Sequence, residues 1–210
     1  MRLFVAIEIP ENIKQELIKE TQGLRDKFPR IRWVPKDNLH LTLKFLGNIN
    51  NKVKSHPFDK LRTSKSKVKN NEDYINQIIQ VLKRSVFSTG PFSLIFERLG
   101  YFDRGELIIW RGIKASSVLT KLVDDLNKNL KSLGFAKDRY AFSPHITLGR
   151  GKRLDNALKT LIKKEIDKGL VIPQKSFNIN SITLMESMLT TKTPIYKPIE
   201  KLVFNIKKDI

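Results

Sequence analysis

The stretch HLTLKFLG, residues 40–47, decides the reading of this chain, because a close copy, HITLGRG, returns at 145–151. The chain has three histidines in 210 residues, and two of them open these two copies. The first copy alternates as a strand does: Leu39, Leu41, Leu43 and Phe45 fall on one face, and His40, Thr42 and Lys44 on the other. His145 and Thr147 share a face by the same spacing. Two such strands laid side by side bring two imidazoles and two hydroxyls into one cleft.

Paired histidines are an acid–base couple. An imidazole titrates near pH ~6.5, so one ring can hold a proton while the other takes one. Threonine hydroxyls can donate hydrogen bonds to phosphate oxygens where charge builds. The set suits phosphodiester chemistry at a strained ring, without a metal. A lone HLTL is ordinary in a buried strand; two copies in matching strand contexts are not. Metal binding is the weaker reading, because neither histidine has an Asp, Glu or Cys at ligand spacing.

Working outward, residues 2–9 (RLFVAIEI) read as a buried strand ended by Pro10, and residues 11–28 as an amphipathic helix. Short strand 31–34 precedes the first motif strand, 38–49. A helix over 72–87, strands over 91–102 and 105–113 joined by an Asp-Arg-Gly turn, and a helix over 116–134 with a glycine stop come next. The second half continues with strand 142–150, helix 154–169, and strands 175–189 and 196–206. Hairpin strands and helices mix without regular βαβ alternation, which predicts an α+β fold with largely antiparallel sheets. The repeated motif predicts two related halves facing each other. Trp33 and Trp110 are read as core.

Residues 51–71 break the pattern. Seven basic residues and one acid there supply +6 of the net +19, with few apolar residues and no sustained period, so the segment reads as a flexible basic insertion containing the third histidine, His56. The remaining +13 still favours a polyanionic partner, RNA before anionic lipid, over a merely solubilising surface. The chain has no cysteine, which excludes disulfides, thiolate catalysis and Cys-ligated zinc. No apolar run reaches the ~18 residues of a membrane helix. The first residues lack the pattern of a signal peptide, so a cytoplasmic protein is expected.

MRLFVAIEIP at the start, HLTLKFLG, FSPHITLGR, and LMESML followed by Tyr196 together resemble the two-histidine (2H) phosphoesterases, in particular the LigT-like RNA 2′,3′-cyclic phosphodiesterases first known as 2′-5′ RNA ligases. The likeness spans nearly the whole chain and departs from the family pattern at 51–71. It implies one bilobal LigT-like domain of two pseudo-symmetric lobes. It also implies hydrolysis of an RNA 2′,3′-cyclic phosphate end to a 2′-phosphate, with no cofactor and no metal, by a protein expected to be a monomer. By the same resemblance His40 is the general acid on the departing 3′ oxygen, His145 the general base on water, and Thr42 and Thr147 hold the phosphate. The motif chemistry alone does not assign acid and base, because the site is nearly symmetric.

Further residues could reach substrate. Lys44 shares the face of His40 and Thr42. Arg150 reaches the face of His145 and Thr147 only if the strand ends or bulges first. Phe142 could stack on a base, and Arg139 and Tyr196 suit the rim. Competing readings are 2′-5′ RNA ligation by the same site, turnover of a smaller cyclic phosphate, and a non-catalytic basic RNA-binding module whose His-x-Thr pairs are structural.

Overall fold

The computed structural model describes residues 1–49, 70–138, 140–169, 175–190 and 193–205. Most of the expected insertion, and Arg139, therefore lie outside the described residues; its last residues, Asn70 and Asn71, cap and begin a helix.

Nine strands and four α-helices alternate along the described chain. The strands are β1 (Arg2–Glu8), β2 (Arg32–Trp33), β3 (His40–Asn48), β4 (Phe92–Asp103), β5 (Leu107–Ile113), β6 (His145–Gly151), β7 (Ser176–Ile179), β8 (Ser181–Met188) and β9 (Ile195–Val203). The helices are α1 (Glu11–Lys27), α2 (Asn71–Val86), α3 (Ser117–Leu130) and α4 (Asn156–Asp167). The strands form one sheet in the order β7-β4-β5-β6-β3-β1-β8-β9, with β2 paired to β6. Every pairing is antiparallel, as the mixture of hairpins and helices predicts.

The two motif strands are neighbours. β3 and β6 touch through one register pair, Leu41 with Ile146, each the residue after its histidine. This short seam divides the sheet into two halves. β1, β8 and β9 extend it from β3, and β5, β4 and β7 extend it from β6. Leu41, Ile146, Leu148 and Leu184 are fully buried on the side away from the motif hydroxyls.

The helices divide in the same way. α2 and α3 are linked by Asn129 donating to the Ser85 hydroxyl at 3.0 Å. The start of each is capped, by Asn70 accepting from Asp73 and by Ser116 accepting from Leu119. α1 is tied to the other half through Lys27–Glu165 at 3.0 Å and Lys175–Glu16 at 2.9 Å. Gly134, at φ 77°, stops the turn after α3 in the left-handed conformation that glycine adopts readily.

One expected strand is two. The chain over 175–189 breaks at Asn180; β7 pairs with β4 at one edge, while β8 pairs with β1 in the other half. The apolar alternation runs on through the break, so nothing in the pattern marks where the chain changes partners. Among the described residues no helix is long and apolar enough to cross a membrane.

Candidate active site

His40 and His145 line one cleft of about 820 Å³ together with Thr42, Thr147, Arg150, Phe142 and Tyr196. Each imidazole is held by the same device. The Nδ1 of His40 lies 2.7 Å from the carbonyl oxygen of Asn38, and that of His145 lies 2.7 Å from the carbonyl oxygen of Ser143. A carbonyl only accepts, so Nδ1 carries the proton on both rings, and Nε2 is the nitrogen left for chemistry. The partner sits two residues before the histidine in both motifs.

Aromatic rings fix the planes. His40 packs against Phe4 and edge-on against Tyr196, each at 5.0 Å between centroids. His145 packs edge-on against Phe102 at 5.1 Å and near Trp110 at 6.2 Å. Trp110 is thus a partly buried support behind the His145 ring and not simply core. Its ring occupies the space beside Gly100, where a Cβ would fall 2.3 Å from Cη2. Trp33 is likewise only partly buried, with its indole N–H donated to the Phe28 carbonyl at 3.2 Å.

Burial sets the electrostatics. It pushes the His40 imidazole down to about 4, against the hydrogen bond to Asn38, and the positive charge of Arg150 pushes the same way. His145 is lowered too, first by burial and then by Arg150, again against its carbonyl bond. Burial raises the Tyr196 hydroxyl.

The same local irregularity occurs in both motif strands and decides which side chains enter the cleft. On β3, Ala6 faces Thr42 but Val5 faces Lys44, so one residue is extra. On β6, Trp110 faces Thr147 but Ile109 faces Gly149, again one extra. A bulge of this kind reverses the facing of everything after it. Arg150 therefore joins the face of His145 and Thr147, which strict alternation denies it. It meets Glu106 at 3.3 Å.

The bulge on β3 bears on two expectations. Lys44, expected beside His40 and Thr42 as a phosphate contact, touches the cleft wall, but its ammonium is engaged elsewhere. Its side chain is 1% exposed, pairs with Asp138 at 3.1 Å and donates to the Ala136 carbonyl at 2.7 Å. It crosses from the strand of His40 to the segment leading into the strand of His145. Phe45, expected on the buried face, is instead 58% exposed on the cleft. Lys44→Met is accordingly expected to cost about 1–3 kcal/mol of stability, by leaving the Ala136 carbonyl unpaired, as read by urea denaturation. Undiminished stability with weakened substrate binding would restore Lys44 to the phosphate.

Besides Phe45 and Trp110, the sequence reading missed Phe4, Phe102, Arg2, Arg32 and Arg104, which all line the cleft or its histidines. One available signal was the alignment of the two motifs: it superposes Lys44 on Gly149 and Phe45 on Arg150. Among the described residues no three His, Cys, Asp or Glu side chains gather as a metal site.

Two imidazoles, each oriented by a backbone carbonyl and followed by a cleft-facing threonine, stand together at the seam of a two-halved antiparallel sheet and define a two-histidine site. Residues 9–189 match the 2′-5′ RNA ligase superfamily, and the chain belongs to that family. It is 32% identical to the RNA 2′,3′-cyclic phosphodiesterase of Methanocaldococcus jannaschii, over 96% of this chain and 99% of that protein. It is 29% identical to the protein of the same name from Archaeoglobus fulgidus, over 94% and 97% of the two chains. The fold is also that of E. coli LigT complexed with 3′-AMP, with a TM-score of 0.67 and 22% identity over 98% of each chain. A Thermus thermophilus protein of known structure superposes with a TM-score of 0.71 at 22% identity, over 97% of this chain and 98% of that one.

Proposed function

We propose that this chain hydrolyses the 2′,3′-cyclic phosphate at an RNA 3′ end to a 2′-phosphate, using His40 as acid and His145 as base. The observation that carries the reading is the matched pair of histidines in one cleft, both with Nδ1 spent on a carbonyl. Neutral His145 takes a proton from water through Nε2 as the water oxygen bonds to phosphorus. The P–O3′ bond breaks, and His40, protonated at Nε2, gives its proton to the departing O3′. The 2′ ester stays intact. His145 ends charged and His40 neutral, and exchange with solvent resets them. Thr42 and Thr147 donate to the non-bridging oxygens, and Arg150 offsets the negative charge that builds there. No metal takes part. Both histidines come from one chain, so a monomer suffices, and an RNA substrate suits work in the cytoplasm. A 5′-hydroxyl in place of water would give 2′-5′ ligation by the same steps.

The test is turnover of a short RNA ending in a 2′,3′-cyclic phosphate, in EDTA, followed across pH. In the empty site both imidazoles titrate below their ordinary value of 6.5. The active form carries one proton on the pair, and above both pKa values its population falls tenfold per pH unit. The expected kcat/KM, which reports the free enzyme, therefore falls above pH ~6.5. Bound phosphate favours the imidazolium, so the corresponding limb of kcat lies at higher pH. No turnover in EDTA, or a kcat/KM that climbs from pH 7 to 8, would refute the mechanism.

A further inference from the structure

The reaction divides the cleft, granted the proposed roles of the histidines. Water and the departing oxygen stand on opposite sides of phosphorus, so water occupies the half of His145 and the terminal ribose the half of His40. The RNA chain leaves that ribose through its 5′ carbon, and the cleft wall built on β3 and β1 offers it a path.

That half carries two side chains that neither the core nor the catalytic set uses. Phe45 stands exposed in the cleft only because the β3 bulge turns it there. A ring path leads to it from the catalytic centre. Phe4 lies 5.0 Å from His40 and 6.3 Å from Phe45 between centroids. Arg2, exposed and two residues before Phe4 on β1, lines the same cleft and has no carboxylate partner among the described residues. Its charge is felt at Tyr196, whose ring packs edge-on to His40. In the other half the position equivalent to Phe45 is Arg150, which also lines the cleft, so the bulge aims this residue the same way in both motifs.

An exposed ring and an unpaired guanidinium on one cleft wall are the combination that holds single-stranded nucleic acid: the ring stacks on a base and the cation meets a phosphate. We propose that Phe45 and Arg2 form a subsite for the nucleotide preceding the cyclic-phosphate end, its base on Phe45 and the phosphate linking it to the terminal nucleotide on Arg2. The enzyme thereby selects an RNA strand over a free cyclic nucleotide.

The experiment measures kcat/KM for 2′,3′-cyclic AMP and for a trinucleotide ending in a 2′,3′-cyclic phosphate, with wild type, Phe45→Ala, Phe45→Trp and Arg2→Ala. Affinity for a trinucleotide ending in a 3′-phosphate and for 3′-AMP is measured in parallel. The trinucleotide-to-mononucleotide ratio is expected to fall about ten- to hundredfold in Phe45→Ala and several-fold in Arg2→Ala, with Phe45→Trp close to wild type. The loss in Arg2→Ala should shrink as salt rises. Equal losses for both substrates, or none for either, would overturn the subsite. If wild type turns over neither substrate, the proposed reaction falls, while the parallel affinities still decide whether Phe45 and Arg2 distinguish strand from mononucleotide.

Discussion

His145→Ala is expected to lower kcat on a cyclic-phosphate RNA end by about 10²–10⁴-fold, and His40→Ala by a comparable factor, with affinity for the product largely kept. In the proposed mechanism each variant removes the imidazole that carries the proton on its side of the phosphorus, whereas binding would also draw on Thr42, Thr147 and Arg150. The two losses should not multiply in the double variant, because acid and base act on one transition state. The rings are packed on Phe4 and Tyr196 or on Phe102 and Trp110, so truncation opens a gap, and His→Gln variants control for it. A substrate whose 3′ bridging oxygen is replaced by sulfur separates the roles. A thiolate leaves without a proton, so this substrate should restore much of the rate to His40→Ala and none to His145→Ala. The opposite pattern would exchange acid and base. Full activity in both variants would leave the motifs structural and favour an RNA-binding module.

The sequence was most legible where a period and a repeat coincide. Strand alternation around His40 and His145 put each histidine beside its threonine, and the recurrence of the motif implied that the halves meet. The sheet does place β3 and β6 side by side. Legibility ended at the bulges. Alternation assumes a regular ladder, and a single extra residue after each threonine moved Lys44 into the interior, Phe45 into the cleft and Arg150 onto the catalytic face. The residue types fit the bulged geometry: Gly149 occupies a place where a Cβ would lie 2.7 Å from Ile31 Cγ2, which explains why the second motif has no side chain where the first has a buried lysine. The aromatic supports were illegible for another reason. Phe4 and Trp110 come from neighbouring strands and Phe102 from the strand one further out, so only strand order brings them to the histidines, and a Phe or Trp in a strand reads first as core.

Arg150→Ala is expected to lower kcat/KM by about 10²–10³-fold, the scale for losing one strong donor to a developing oxyanion, and to move the pH profile as well. Arg150 depresses the pKa of both histidines in the empty site. Removing its charge raises both, so the acid limb of kcat/KM should move to higher pH. Arg150→Lys keeps the charge and loses the planar fork, so it should hold the limb near its wild-type position and recover only part of the rate. Glu106 complicates the alanine variant. Freed from its 3.3 Å pairing with Arg150, its carboxylate would stand in the cleft and repel the anionic substrate. The double variant Arg150→Ala/Glu106→Gln removes that repulsion and isolates the missing donor. A loss that persists in the double variant together with the shifted limb locates Arg150 at the phosphate. Recovery of wild-type rate in the double variant would instead make Arg150 the counter-ion that keeps Glu106 from the substrate.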